Sequence, residues 1–130
     1  MARLYRQNKQ ITDTEVIKLS LKKALKHFTQ AVVIFEEKFH YRNVGICHSA
    51  RARLIREQYN FYNTQTSPET EQLVLLISLL RKEQHYYQLA QDWFQKIDNE
   101  TQIKKIAKKL RRNETELTTL REQLMNCTST

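Results

Sequence analysis

Ala24-Leu-Lys-His-Phe28-Thr-Gln-Ala31-Val-Val-Ile-Phe35 and Glu83-Gln-His-Tyr-Tyr87-Gln-Leu-Ala90-Gln-Asp-Trp-Phe94 carry one pattern twice, 59 residues apart. Phe28 aligns with Tyr87, Ala31 with Ala90 and Phe35 with Phe94; beyond each copy, Val44 and Cys47 align with Ile103 and Ile106. Apolar residues at three- and four-residue steps form one stripe on a helix, and a small residue one turn after an aromatic lets a neighbouring helix approach. The stretch therefore reads as a helix, a short turn and a second helix, made twice.

Working outward, the apolar set Val16, Ile17, Leu21, Ala24, Phe28, Ala31, Val32, Phe35 and Phe39 makes the first helix. Lys18, Lys22, Lys23 and Lys26 are left for its outer face. Thr12-Asp-Thr-Glu15 has the form of a capping box at its head. Residues 40–43 connect to a second helix, with Asn43 as cap, that runs to about Phe61. The stretch 63–70 breaks the pattern; there Ser67 can cap and Pro68 suits the first helical position of a third helix ending near Ile97. A fourth helix spans about Glu100 to Met125, with Ile103, Ile106, Leu110, Leu117, Leu120 and Leu124 as its stripe. The expected layout is a flexible basic arm at 1–11, one helical domain at 12–126 and a disordered tail at 127–130. With a single Gly and a single Pro, β-sandwiches and glycine-rich nucleotide-binding folds are excluded, and the class is all-α with four antiparallel helices.

At Ala24, Phe28 and Ala31, followed by a short connection and a fresh helix at Val44, the chain resembles a tetratricopeptide repeat. The second copy keeps Tyr87, Ala90, Ile103 and Ala107 but has Glu83 at the family's first small position. The resemblance covers Ser20–Leu54 and Leu80–Leu110, and implies stacked helix pairs whose concave face binds a peptide or helix without catalysis. A plain four-helix bundle produces the same echoes and stands beside it.

Charge narrows the partner. The 130 residues hold 22 Lys and Arg against 14 Asp and Glu, a formal net charge of +8, which favours an acidic partner. Lys104-Lys-Ile-Ala-Lys-Lys-Leu-Arg-Arg112 places six cations in nine residues. On a helix these divide into Lys104, Lys108 and Arg111 on one side and Lys105, Lys109 and Arg112 on the adjacent one. Arg51, Arg53 and Arg56 precede Tyr59, Phe61 and Tyr62, a mixture of cations and aromatics that single-strand binders also use. Tyr86 and Trp93 are the residue types that anchor interfaces.

The expected function is accordingly a non-enzymatic helical interaction module, an adaptor that binds a protein partner through Tyr86 and Trp93 with Lys105, Lys109 and Arg112 as an electrostatic rim. The alternative is a small basic subunit that binds nucleic acid through Arg51, Arg53, Arg56, Lys104, Lys105, Lys108, Lys109, Arg111 and Arg112 on phosphates. The fourth helix's heptad-like stripe could also seam two copies into a homodimer. No catalytic, cofactor or metal site is expected, because His27, His40, His48 and His85 are scattered and Cys47-His48 adjacency turns the two side chains about 100° apart on a helix. Two cysteines without framework spacing fit a cytoplasmic setting. The most apolar run, Leu73–Leu80, is far shorter than the ~20 residues of a membrane span, so no membrane role is expected.

Overall fold

The helical periodicity is realised in a computed structural model that describes residues 9–64 and 69–128, with side chains described for 15–64 and 69–127. Four helices follow one another: α1 (Lys9–Glu37), α2 (Tyr41–Asn63), α3 (Thr70–Lys96) and α4 (Glu100–Thr128). Residues 1–8 of the arm expected at 1–11, the Ser67 cap with Pro68, and 129–130 of the tail expected at 127–130 lie outside the described residues, while 9–11 and 127–128 are helical. Helix α1 begins at Lys9, so the Thr12 box sits within the helix and not at its head. Helix α4 continues through Thr128, three residues beyond the expected end at Met125.

Successive helices run antiparallel. Tyr62 meets Gln72, Arg56 meets Glu83 and Gly45 meets Phe94 between α2 and α3, while Glu83 and Leu80 meet Asn113 between α3 and α4. Among the described residues, the α1 backbone closely approaches only α2, and the α4 backbone only α3. A closed bundle would bring α1 against α4; here two hairpins stand in series, joined through α2 and α3.

The two hairpins turn by the same device. In the first, the His40 N–H donates to the Phe35 carbonyl (2.8 Å) and the Phe39 N–H to that of Glu36 (3.1 Å), with Phe39 at φ 58°. In the second, Asn99 donates to Phe94 (3.0 Å) and Asp98 to Gln95 (3.2 Å), with Asp98 at φ 54°. Both are Schellman stops in which a left-handed residue satisfies the last carbonyls, a place where Gly is usual. The stop occupies residues 38–40, so α2 restarts at once at Tyr41 with His40 in the cap position; Asn43, expected as the cap, already lies inside the helix. In the second hairpin Asn99 does cap, its Oδ1 accepting from the Gln102 N–H at 3.3 Å.

The core has three parts. Ile55 and Tyr59 of α2, Leu73, Leu76, Ile77, Leu79 and Leu80 of α3, and Leu117 and Leu120 of α4 form the largest. Ala52, Tyr87, Ala90, Phe94 and Ile106 form the second, and Val32, Val44 and Cys47 the third, covered by Phe28, Phe35 and Trp93. The small residues at 52 and 90 let α2 and α3 approach closely, and Gly45 takes this furthest: a β-carbon there would lie 2.8 Å from the Phe94 ring. Ile106, Leu117 and Leu120 of α4 are buried in this core, with Ile103, Leu110 and Leu124 partly buried against it. Two residues placed in the α1 stripe, Val16 and Phe39, are exposed instead, because α1 has a neighbour on one side only. No helix among the described residues is long and apolar enough to cross a membrane.

Candidate functional site

Three polar residues interrupt the apolar stripes at one level of the fold. Glu83 is 2% exposed and Asn113 is 0% exposed; Arg56 reaches Glu83 from α2. The Arg56 guanidinium donates to both Glu83 carboxylate oxygens, at 2.6 and 2.7 Å, and to Glu116 Oε2 of α4 at 2.7 Å. Asn113 Nδ2 donates to Glu83 Oε1 and to the Leu80 carbonyl, each at 2.8 Å, and Arg112 Nε donates to the other Glu116 oxygen at 3.0 Å. Burial opposes the Arg56 charge, but hydrogen bonds and charge attraction from Glu83 and Glu116 outweigh it and raise its pKa above the ordinary arginine value. A buried guanidinium paired in this fork stays charged and fixes the register of three helices at once.

Above this network a groove opens between α2 and α4, with α3 as its floor. Ser49 and Arg53 are one turn apart on α2; Gln102, Lys105 and Lys109 follow at three- and four-residue steps on α4 and face them across Phe94 and Ile106, around a cavity of about 300 Å³. The groove continues over Tyr87 into a smaller hollow of about 170 Å³, where Arg53 and Lys109 are joined by Arg112. Five cations, Arg53, Arg56, Lys105, Lys109 and Arg112, thus meet two carboxylates, Glu83 and Glu116, both of which are engaged by Arg56. Among the described residues no carboxylate lies within ion-pair distance of Arg53, Lys105 or Lys109. The Lys109 ammonium lies 5.3 Å from the Tyr87 ring centre. Burial lowers its pKa, the Arg53 charge pushes the same way, Glu83 pulls it back up, and Lys105 adds the smallest downward push. Burial likewise pushes the Tyr87 phenol up to about 12, so it stays protonated and neutral.

The residues singled out in the sequence fall into four groups. Arg53, Lys105, Lys109 and Arg112 come together in the groove. Lys104, Lys108 and Arg111 are exposed on the adjacent face of α4, separated by the helical twist. Arg51 lies elsewhere, its guanidinium 4.2 Å above the Tyr86 ring and 3.2 Å from His48 Nδ1. Arg56 is drawn inside, so its charge already has internal partners.

Tyr86 and Trp93, taken as outward anchors, are half-buried. Arg51 covers the first, and Tyr41 (5.2 Å between rings) and the Lys96 ammonium (3.9 Å) cover the second. Glu83, Glu116, Asn113, Ser49 and Gln102 were not singled out as site residues. The available signal was a carboxylate and an amide standing in register with Leu80, Tyr87, Leu117 and Leu120, where every other member is apolar.

No family model matches the chain, and neither a curated protein nor a solved structure matches it significantly.

Proposed function

We propose that the protein is a non-enzymatic helical interaction module that holds an acidic segment of a protein partner in the groove between α2 and α4. The observation that carries this reading is the meeting of Arg53, Lys105 and Lys109 across α3 with no carboxylate to pair them, beside the apolar side chains of Ile46 and Ile106. Cations held together without counter-charges raise the local anion concentration and favour an acidic ligand. Ile46, 40% exposed, adds an apolar contact that a segment bearing both acidic and aliphatic side chains can use, while Ile106 is 2% exposed and only backs the groove. A cytoplasmic setting suits Cys47, a buried thiol outside any disulfide.

A second reading has its own support: both exposed faces of α4 are basic over three turns, as a phosphate-backbone contact would require. Base stacking is disfavoured in the groove, because Tyr87 and Phe94, the aromatics of its floor, are 3% and 1% exposed. The two readings separate in one titration. A fluorescent peptide of alternating Glu and Leu, and single- and double-stranded oligonucleotides, are added at two salt concentrations to the protein and to the Arg53→Gln/Lys105→Gln/Lys109→Gln variant. Peptide binding that the triple change abolishes is expected. Oligonucleotide binding alone, weakened steeply by salt and also by Lys104→Gln/Lys108→Gln/Arg111→Gln, would replace the adaptor reading with the nucleic-acid one.

A further inference from the structure

The anion-binding groove contains a more selective feature than a basic surface needs. We propose that the cavity bounded by Arg53, Lys105, Lys109, Ser49 and Gln102 is a binding site for a phosphomonoester dianion. The inference rests on the reading of the groove as anion-binding and goes further, to the kind of anion.

Three formal positive charges converge from two helices on a cavity of about 300 Å³, and among the described residues no carboxylate is within ion-pair distance of any of them. A single carboxylate would neutralise one of the three. A phosphomonoester carries about −1.5 to −2 charges near neutral pH and three strong acceptor oxygens, a match in both charge and number of partners. A phosphodiester has one charge and only two unesterified oxygens, a poorer match for three convergent cations.

The remaining wall fits the same ligand. Arg53 brings a planar fork that can donate twice to one phosphate, Lys105 and Lys109 bring compact charges from the opposite helix, and Gln102 brings a neutral donor. The Ser49 hydroxyl, at the cavity's α2 side, has no hydrogen-bond partner. Phe94 and Ile106 form an apolar back wall that keeps part of the solvent away and strengthens each charge contact.

The Lys109 pKa is lowered chiefly by burial, and the neighbouring positive charge of Arg53, with a smaller push from Lys105, adds to that against the pull of Glu83. A bound dianion reverses the sign of that field. The Lys109 ammonium is therefore expected to titrate at higher pH in the complex than in the free protein, a readout that a nonspecific basic surface elsewhere on the chain would not move.

The experiment uses the full chain and calorimetric titration at low salt with three probes: a short Glu-flanked phosphoserine peptide, the same peptide with Glu in place of phosphoserine, and inorganic phosphate. We expect the phosphoserine peptide to bind about tenfold or more tightly than its Glu counterpart, and Arg53→Gln or Lys109→Gln each to reduce that affinity about tenfold. Both side chains are exposed, so both variants are expected to keep the wild-type thermal transition, which circular dichroism checks. Lys109 followed by NMR should rise in pKa with the phosphoserine peptide. Inorganic phosphate binding as tightly as the peptide would assign the site to a free phosphorylated metabolite; a large peptide advantage would assign it to a phosphorylated partner. Equal affinity for the two peptides would overturn the dianion proposal and leave the acidic-segment reading intact. A phosphoserine preference indifferent to both variants would place the site elsewhere and overturn it too. Failure of all three probes to bind would remove both readings together.

Discussion

The two hairpins are closed by the same stop and filled very differently. Phe35 to His40 and Phe94 to Asn99 make matching hydrogen bonds around left-handed residues, at positions 59 apart. Yet α3 buries nine side chains, Leu73 to Phe94, whereas α1, among its described side chains at 15–37, buries Leu21 and Val32 and leaves Val16, Leu19, Val33 and Ile34 exposed. A helix is stabilised in water by the apolar face it covers more than by its own hydrogen bonds. Turn geometry is thus the shared part of the two units. Position in the series decides their stability, since α3 has a neighbour on each side and α1 on one.

The strongest way to break the comparison is to cut the joint between the hairpins. Arg56 is the one side chain that ties α2 to both α3 and α4 by ion pairs among the described residues. Arg56→Ala leaves Glu83 buried and charged, and a loss of about 3–5 kcal/mol in urea unfolding is expected. Arg56→Met with Glu83→Leu removes both charges and should recover most of that loss. If Arg56→Ala unfolds within about 1 kcal/mol of wild type, the network is a surface pair and the joint is the apolar core alone. Amide exchange in this variant should accelerate first in α1 and α2, the hairpin with less core of its own.

A second, smaller effect is available through pH at the same joint. His48 of α2 is 4% exposed, and burial first, then the Arg51 charge and His85 of α3, lower its pKa from 6.5 to about 4. The folded chain prefers the neutral ring, so the unfolded state binds more protons between those two values. The contribution is complete above pH 6.5, is lost as pH falls toward 4, and stops changing below it. The shift corresponds to roughly 3 kcal/mol as an upper figure. Urea melts at pH 7 and pH 4.5 should show wild type losing more stability than His48→Gln, which isolates this residue from the carboxylates that titrate in the same range. Equal losses would mean that the ring gains its proton without leaving the fold.

How much of this was legible in the sequence depends on the kind of information. The four helices and both short stops were legible, because apolar spacing is local and repeats within each helix. The split of the α4 cations into two stripes was legible for the same reason. Which stripe faces a partner helix was not: Arg53 and Lys109 are 56 residues apart, and only the antiparallel stacking of α2, α3 and α4 brings them to one groove. Arg56 was read with its neighbours Arg51 and Arg53 as a phosphate ligand, although a helical step of about 100° turns Arg51 away from the other two, and Arg56 beside Arg53 is taken up by Glu83 and Glu116. Glu83 was noticed as a departure from the repeat. Its partner across the helix could not be named without the packing. Tyr86 and Trp93 were chosen for residue type, and type does not reveal that Arg51, Tyr41 and Lys96 already cover them.

The smallest expected effect sharpens the part of the comparison in which the hairpins agree. Both stops need a left-handed residue, but Phe39 carries a bulky side chain there while Asp98 carries a short polar one, and the left-handed region is far more accessible to Asp than to Phe. Phe39 is also 74% exposed, and its ring meets Tyr41 edge-on with the centres 6.0 Å apart, so removal forfeits little burial. Phe39→Gly should therefore stabilise the chain by about 1 kcal/mol, and Asp98→Gly by a few tenths, both measured by thermal unfolding. A gain at 39 that exceeds the gain at 98 would establish that the first hairpin pays for its turn with a residue ill-suited to it. A loss at 39 would show that the Phe39–Tyr41 contact contributes more than the backbone strain costs, and would make that aromatic corner a structural part of the first hairpin.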